Sequence, residues 1–352
     1  MNKESFIFPK KYKCLNISIA YFFIHLFLEV SCFYILSSYV KSDVYVYIAL
    51  LYDFFSFVPQ AFVGSINDKY PKMNFGFIGI ILILISLILF MININCFLLL
   101  IPLTIGNCMV HVSGAEATLR TSDGKMFPSS LFVSGGALGI IIGKTLYNCN
   151  VSIVSVIVLN VLSMILLLYL SKYKKNENLL LSEFNYSNRK VGSNKIIILA
   201  ILVVAVRSFM SYGIPMRWNI TIFDTFMLYF ALTLGKALGG LLVDKIGIRK
   251  TIFLSTIISI PFIQFGDSNI YISLIGIMLF SMTMAITLAI IISECQSSPG
   301  KGFGYTTIGL FLGTLPMFVL EINSLLSLIL FTFFSILSII ILYTISKENE
   351  EV

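Results

Sequence analysis

Residues Gly239–Lys250 read GGLLVDKIGIRK, with two small residues, an acid, three bases and a third glycine crowded between two long apolar stretches. Residues Gly64–Lys72 read GSINDKYPK, also between two apolar stretches. Asp68 and Asp244 stand 176 residues apart in a chain of 352, so the two loops are spaced by half the chain length. The spacing predicts an internal duplication.

Outward from these loops the chain is a succession of apolar runs. They lie near 14–39, 44–64, 73–92, 96–118, 128–147 and 151–171, and then near 195–216, 221–243, 250–266, 269–293, 302–320 and 324–346. Each approaches the roughly 20 residues that cross a bilayer as a helix. Between the sixth and seventh lies the longest polar stretch, SKYKKNENLLLSEFNYSNRKVGS. The predicted fold is an all-α polytopic membrane protein of twelve transmembrane helices in two pseudo-symmetric six-helix bundles, residues 1–171 and 195–352, joined by a linker at 172–194.

Composition demands the same solvent. The chain is 58% hydrophobic and 12% charged, against about 25% charged in soluble domains. Nothing resembling a small-residue cleavage site follows the first run, so it reads as a retained span rather than a signal peptide. If all twelve runs cross, nineteen of the 24 Lys and Arg residues fall on one side, and only Lys41, Lys144 and Arg217 on the other. Basic loops stay in the cytoplasm, so both termini and the linker are expected there, in a plasma membrane. The net charge of +7 thus marks topology, and no nucleic-acid partner is expected. The six cysteines are scattered without metal or disulfide spacing and read as packing residues.

The second loop, Gly240-x-x-x-Asp244-Lys245-x-Gly247 followed by Arg249, resembles the loop signature of the major facilitator superfamily. A duplicated helix bundle is itself a mark of secondary transporters. The resemblance implies a cytoplasmic latch between the two halves, built from Gly64, Asp68, Lys69, Gly240, Asp244, Lys245, Gly247 and Arg249. The acid can pair with basic side chains or with a helix amino end, and the last glycine allows a tight turn. The first copy is degenerate, with Pro71 in the glycine position and Met73 where a base is common. As simple topology anchors, such loops would carry no latch.

A narrower likeness is to the fosmidomycin-resistance branch of drug exporters. It rests on His25-x-x-x-Glu29, Pro59-Gln60, GNCMVHVSGAEATLR (Gly106–Arg120), FVSGGALGIIIGK (Phe132–Lys144) and Arg207-Ser208. The departures are Glu29 where the branch more often has Asp, Pro59 and Gln60 in reversed order, and Val112 in place of a proline. The antiporter signature of the superfamily also carries a proline that Phe132–Lys144 lacks.

Charges inside a bilayer cost roughly 2.5–3.5 kcal/mol at a helix centre, so each must face protein or a watery cavity. His25 and Glu29, four apart, share one helix face. They read as a proton-coupling pair or as a structural hydrogen bond. Asp53, His111, Arg207 and Lys236 are candidates to line a solute path. Asp53 and Arg207 could alternatively pair with each other, and Lys236 could snorkel. Glu116 and Arg120 read as a local pair. Gly135, Gly139 and Gly143, and Gly309 and Gly313, recur every four residues on corresponding helices, the spacing of close helix packing.

No phosphate-binding loop of the G-x-x-x-x-G-K-[ST] type occurs. With two histidines far apart in sequence and no Cys or His cluster, no metal site and no cofactor are expected, and no nucleophile with a base suggests an enzyme. The expectation is a monomeric, proton-coupled exporter of a small organic solute working by alternating access in the lipid bilayer. Uptake by symport, or a non-transporting receptor or assembly factor on the same fold, are the alternatives.

Overall fold

In so apolar a chain the few polar residues at run boundaries decide where helices begin. Asn74, Asn95, Asn269 and Asn323 each accept a hydrogen bond from a backbone N–H of the first turn, and Thr221 with Asp224 forms a full capping box. These side chains satisfy donors that would otherwise enter the membrane unpaired.

The computed structural model describes residues 10–70, 73–174, 183–188, 193–320 and 322–347. Its helical rods are α1 (Lys10–Ser37), α2 (Tyr45–Lys69), α3 (Phe75–Met91), α4 (Cys96–Arg120), α5 (Phe127–Asn148), α6 (Ile153–Lys174), α7 (Ser193–Gly213), α8 (Ile222–Ile246), α9 (248–264), α10 (Ile270–Glu294), α11 (Pro299–Thr314) and α12 (Ser324–Ile345). Nine are long and apolar enough to cross a membrane. The other three are the 17-residue α3, the 16-residue α11, which runs on into a 3₁₀ turn at Leu315–Phe318, and α9, whose middle, Phe253–Ile258, is a π-helix. Each of the twelve predicted runs coincides with one rod. The α2 rod breaks just before Gln60, where Pro59 supplies no N–H to continue it, and α10 breaks at Met282. The termini and residue Pro71, on which parts of the topology and loop readings rest, lie outside the described residues, as does most of the predicted linker.

The glycine stripes explain the closest contacts. On α5, a Cβ at Gly135, Gly139 or Gly143 would collide with the carbonyl oxygens of Phe22, Leu26 and Val30 on α1. On α11, a Cβ at Gly309 or Gly313 would meet those of Ile201 and Ala205 on α7. The first and fifth rods of each six therefore pack backbone to backbone. At Gly139 the added atom would also lie 2.7 Å from the Glu29 Cβ. Gly139→Leu is expected to cost about 1–3 kcal/mol by overpacking, read as a lowered melting temperature in detergent. Unchanged melting would show that α1 and α5 are not held by this stripe.

Candidate functional site

At mid-height of α1 and α4, two helical i, i+4 pairs face each other. His25 and Glu29 come from α1, Asn107 and His111 from α4. The His25 Nε2 lies 3.9 Å and the His111 Nε2 3.7 Å from Glu29 Oε1, and the two imidazole rings meet edge to face with centroids 4.4 Å apart. All three side chains are buried. Each ring is held from behind, with His25 Nδ1 3.0 Å from the Phe132 carbonyl and His111 Nδ1 3.0 Å from the Asn107 carbonyl. A carbonyl only accepts, so each neutral ring carries its proton on Nδ1 and presents a bare Nε2 lone pair to Glu29.

Asn107 holds the carboxylate. Its Nδ2 donates to Glu29 Oε1 at 2.9 Å and to the Tyr52 hydroxyl at 3.0 Å, with Cys32 Sγ at 3.6 Å. Phe132 packs on His25 and Phe303 on His111. A Cβ at Gly136 would strike the His25 ring, 2.5 Å from its Nε2, so that glycine clears the space the ring occupies.

Asn107, Tyr52, Cys32 and Gly136 were not singled out from sequence. For Asn107 a signal existed: it precedes His111 by four, as His25 precedes Glu29. That the two pairs meet is a matter of helix packing and has no local signature.

The other predicted path residues join this cluster only in part. Lys236, on α8, lines a small cavity with Ser130, Val133, Met284, Ala285 and Leu288, within electrostatic reach of Glu29. Among the described residues no ion pair joins Arg207 to Asp53. Arg207 instead donates from Nη2 to the Phe280 carbonyl at 2.9 Å and stacks its guanidinium 3.8 Å from the Phe280 ring centroid. Its Nε and Nη1 are buried without a partner. A guanidinium reaches a carbonyl and a ring face on the neighbouring α10 more readily than a carboxylate on α2, which explains why the pairing left open by the sequence does not form.

Both loops lie at the end of the bundle where the linker strap packs. Asp244, at the end of α8, accepts hydrogen bonds from the backbone N–H groups of Met126 (2.8 Å) and Phe127 (2.9 Å) at the start of α5. Asp68, at the end of α2, accepts from Gly300 (3.0 Å) and Lys301 (2.9 Å) at the start of α11. Each acid thus caps a helix from the opposite six, where unpaired N–H groups and the helix dipole favour a negative charge. Gly64 and Gly240 make these approaches possible, since a Cβ would collide with Gly300 in one case and Ser130 in the other. The degenerate copy makes the same pair of bonds as the intact one.

Gly247 takes φ of +85° at the turn, a conformation that favours glycine. Lys69 and Lys245 are exposed, while Arg249 donates to the Ser346 carbonyl at 3.4 Å. Arg120 pairs with Glu116 at 2.7 Å, as the i, i+4 spacing predicts, and also reaches Asp68 at 3.4 Å.

A strap crosses this face. In the linker residues Glu183–Asn188, Phe184 is buried and its carbonyl accepts from Gln296 Nε2 at 2.6 Å. The Tyr186 hydroxyl lies 2.9 Å from the Gly124 carbonyl and 3.0 Å from Asp244 Oδ1. Tyr186 N–H donates to Ser293 at 2.9 Å, Ser187 bonds Glu294, and the strap pairs with residues 345–347 at the end of α12 and just past it. Burial and the adjacent Asp244 carboxylate push the Tyr186 phenol well above its ordinary range, so it remains a donor at neutral pH. Nothing in the linker's sequence distinguished Tyr186.

No family model matches the sequence, and no curated protein matches it either. Solved structures do. FucP, a major facilitator superfamily transporter, in its outward conformation has a TM-score of 0.68 at 13% identity, covering 94% of this chain and 98% of that one. A bacterial homologue of the iron transporter ferroportin, outward-facing, gives 0.60 at 12% identity over 93% and 98%. The human organic anion transporter MFSD10 gives 0.64 at 13% identity over 96% and 100%. At these identities the likeness speaks for architecture: the chain is an all-helical, polytopic membrane protein with the major facilitator fold.

Proposed function

We propose that the protein is a secondary active transporter that moves a small organic solute by alternating access, with residues 1–171 and 195–352 rocking about the linker 172–194. The observation that carries this reading is the reciprocal capping by Asp68 and Asp244. Two equivalent bonds per acid, each reaching a helix of the other six, make a closure that can break as a unit while both bundles keep their internal packing. On the charge argument above this closed face is cytoplasmic. The fold's solved neighbours include a fucose:proton symporter, a homologue of an iron transporter and an organic anion transporter. Transport is what they share, while the named cargo differs.

His25 and Glu29 are the proton-coupling pair, and Asp53, His111, Arg207 and Lys236 line the solute path, His111 where that path meets the pair. The unspent N–H groups of Arg207 suit a solute carrying an anionic or strongly accepting group. Coupling to protons and outward direction complete the reading: a monomeric exporter of the plasma membrane, without cofactor and without enzymatic activity. Everted vesicles test it. Adding a transported solute should dissipate an imposed proton gradient. No gradient-dependent flux from well-folded protein across a broad solute panel would favour a non-transporting receptor, and solute movement with the protons would favour symport. Arg207→Met should weaken solute binding by at least about tenfold, or roughly 1.4 kcal/mol, measured by thermal-shift titration. Unchanged affinity would remove Arg207 from the path.

A further inference from the structure

The geometry points to a binding site for one divalent transition-metal ion, formed by His25 Nε2, His111 Nε2 and a Glu29 carboxylate oxygen. These three atoms lie within 4.8 Å of one another. With both Nδ1 atoms committed to backbone carbonyls, three lone-pair atoms converge, and none of the three supplies a donor to the others once Glu29 is ionised. The gaps of 3.7 and 3.9 Å exceed the 2.7–3.2 Å of a hydrogen bond. They are close to the spacing of donor atoms around a shared ion: metal–nitrogen bonds of 2.0–2.1 Å at tetrahedral angles place ligands about 3.3 Å apart. A shift of about half an ångström closes each histidine–glutamate gap, while the two ring nitrogens, within 4.8 Å of each other, draw together by up to about 1.5 Å.

The supporting shell is also that of a metal site. Ligating histidines characteristically donate their other ring N–H to a carbonyl, which fixes the tautomer and aims the free nitrogen. Both do so here. Asn107 steadies the carboxylate through its Nδ2 and keeps its own Oδ1 buried without a partner. Two imidazoles and one carboxylate suit zinc, cobalt or ferrous iron rather than calcium or magnesium, which prefer oxygen alone. Of the neighbouring charged groups, Asp53 on α2 favours a cation electrostatically and Lys236 on α8 opposes one. The inference does not depend on the proposed transport, because it concerns equilibrium binding.

The test titrates detergent-purified full-length protein with Co²⁺ and follows the visible d–d bands that coordinated cobalt develops. Saturation at one ion per chain is expected. His25→Ala, His111→Ala and Glu29→Gln should each weaken binding at least tenfold, while Lys236→Met, which removes a like charge, should tighten it by about threefold or more. Folding is checked by size-exclusion profile and melting temperature. If a variant fails to fold, X-ray absorption of the cobalt-loaded wild type replaces it, and two imidazoles in the first shell are expected. Absence of saturable binding, undiminished binding in folded His25→Ala and His111→Ala variants, or a first shell without imidazole would overturn the site. Any of these leaves the transport reading standing, since flux is measured separately.

Discussion

Glu29→Gln is expected to abolish proton-driven solute movement, bringing flux in proteoliposomes down to the level of empty vesicles, while solute binding and gradient-free counterflow persist. The reasoning is steric as much as electrostatic. A glutamine side chain keeps the oxygen that accepts from Asn107 Nδ2 at 2.9 Å, so the interhelical contact survives and only the exchangeable charge is lost. A purely structural role for Glu29 predicts the opposite outcome, near-normal coupled flux with little change in stability. Asn107→Ala provides the contrast. It leaves a buried carboxylate without its donor, which costs about 1–3 kcal/mol, and should destabilise the protein rather than uncouple it. Proton-driven accumulation by Glu29→Gln at the wild-type rate would end the proton-site assignment.

The second large effect concerns the closed face. Hydrogen bonds to a charged group contribute about 1.5–3 kcal/mol each, and Asp244→Ala removes the pair to Met126 and Phe127 together with the Tyr186 contact. Losing the pair alone amounts to roughly 3–6 kcal/mol, enough to move a two-state population by about two to four decades. Combined with Asp68→Ala, the change should favour the state open at this face. Spin labels placed at the exposed Lys69 and Lys250, in a background freed of the six native cysteines, should then report longer distances. Tyr186→Phe removes one hydroxyl contact to the same carboxylate and should give a smaller shift in the same direction. An unchanged distance distribution in the double variant would mean that these acids cap helices without latching the bundle.

The helical rods were legible because a bilayer makes a one-dimensional demand. A rod must be apolar for its whole length, and the eye needs no knowledge of neighbours to see that Cys96–Arg120 or Ser324–Ile345 meets it. The π-helical centre of α9 and the break at Met282 were not legible. Both keep the apolar composition of a continuous helix, so nothing local distinguishes them. The same division runs through the site. Spacing of four placed His25 with Glu29 and Glu116 with Arg120, because helix geometry alone brings i and i+4 to one face.

Sequence by itself therefore determined what each helix or loop offers: twelve apolar rods, a repeated acid at half the chain length, glycine stripes, and a short list of charges in apolar surroundings. Tertiary structure alone decided which offers meet. It brought His111 to Glu29 across 82 residues of chain, turned Arg207 to the Phe280 ring and carbonyl instead of to Asp53, aimed Asp68 and Asp244 at backbone N–H groups of the opposite six rods, and seated Tyr186 on Asp244. The physical reason is that hydrophobicity and helical period are properties of neighbours along the chain. A hydrogen bond or a shared cation site depends on sub-ångström placement of atoms from different rods, which only the packing of the whole bundle sets.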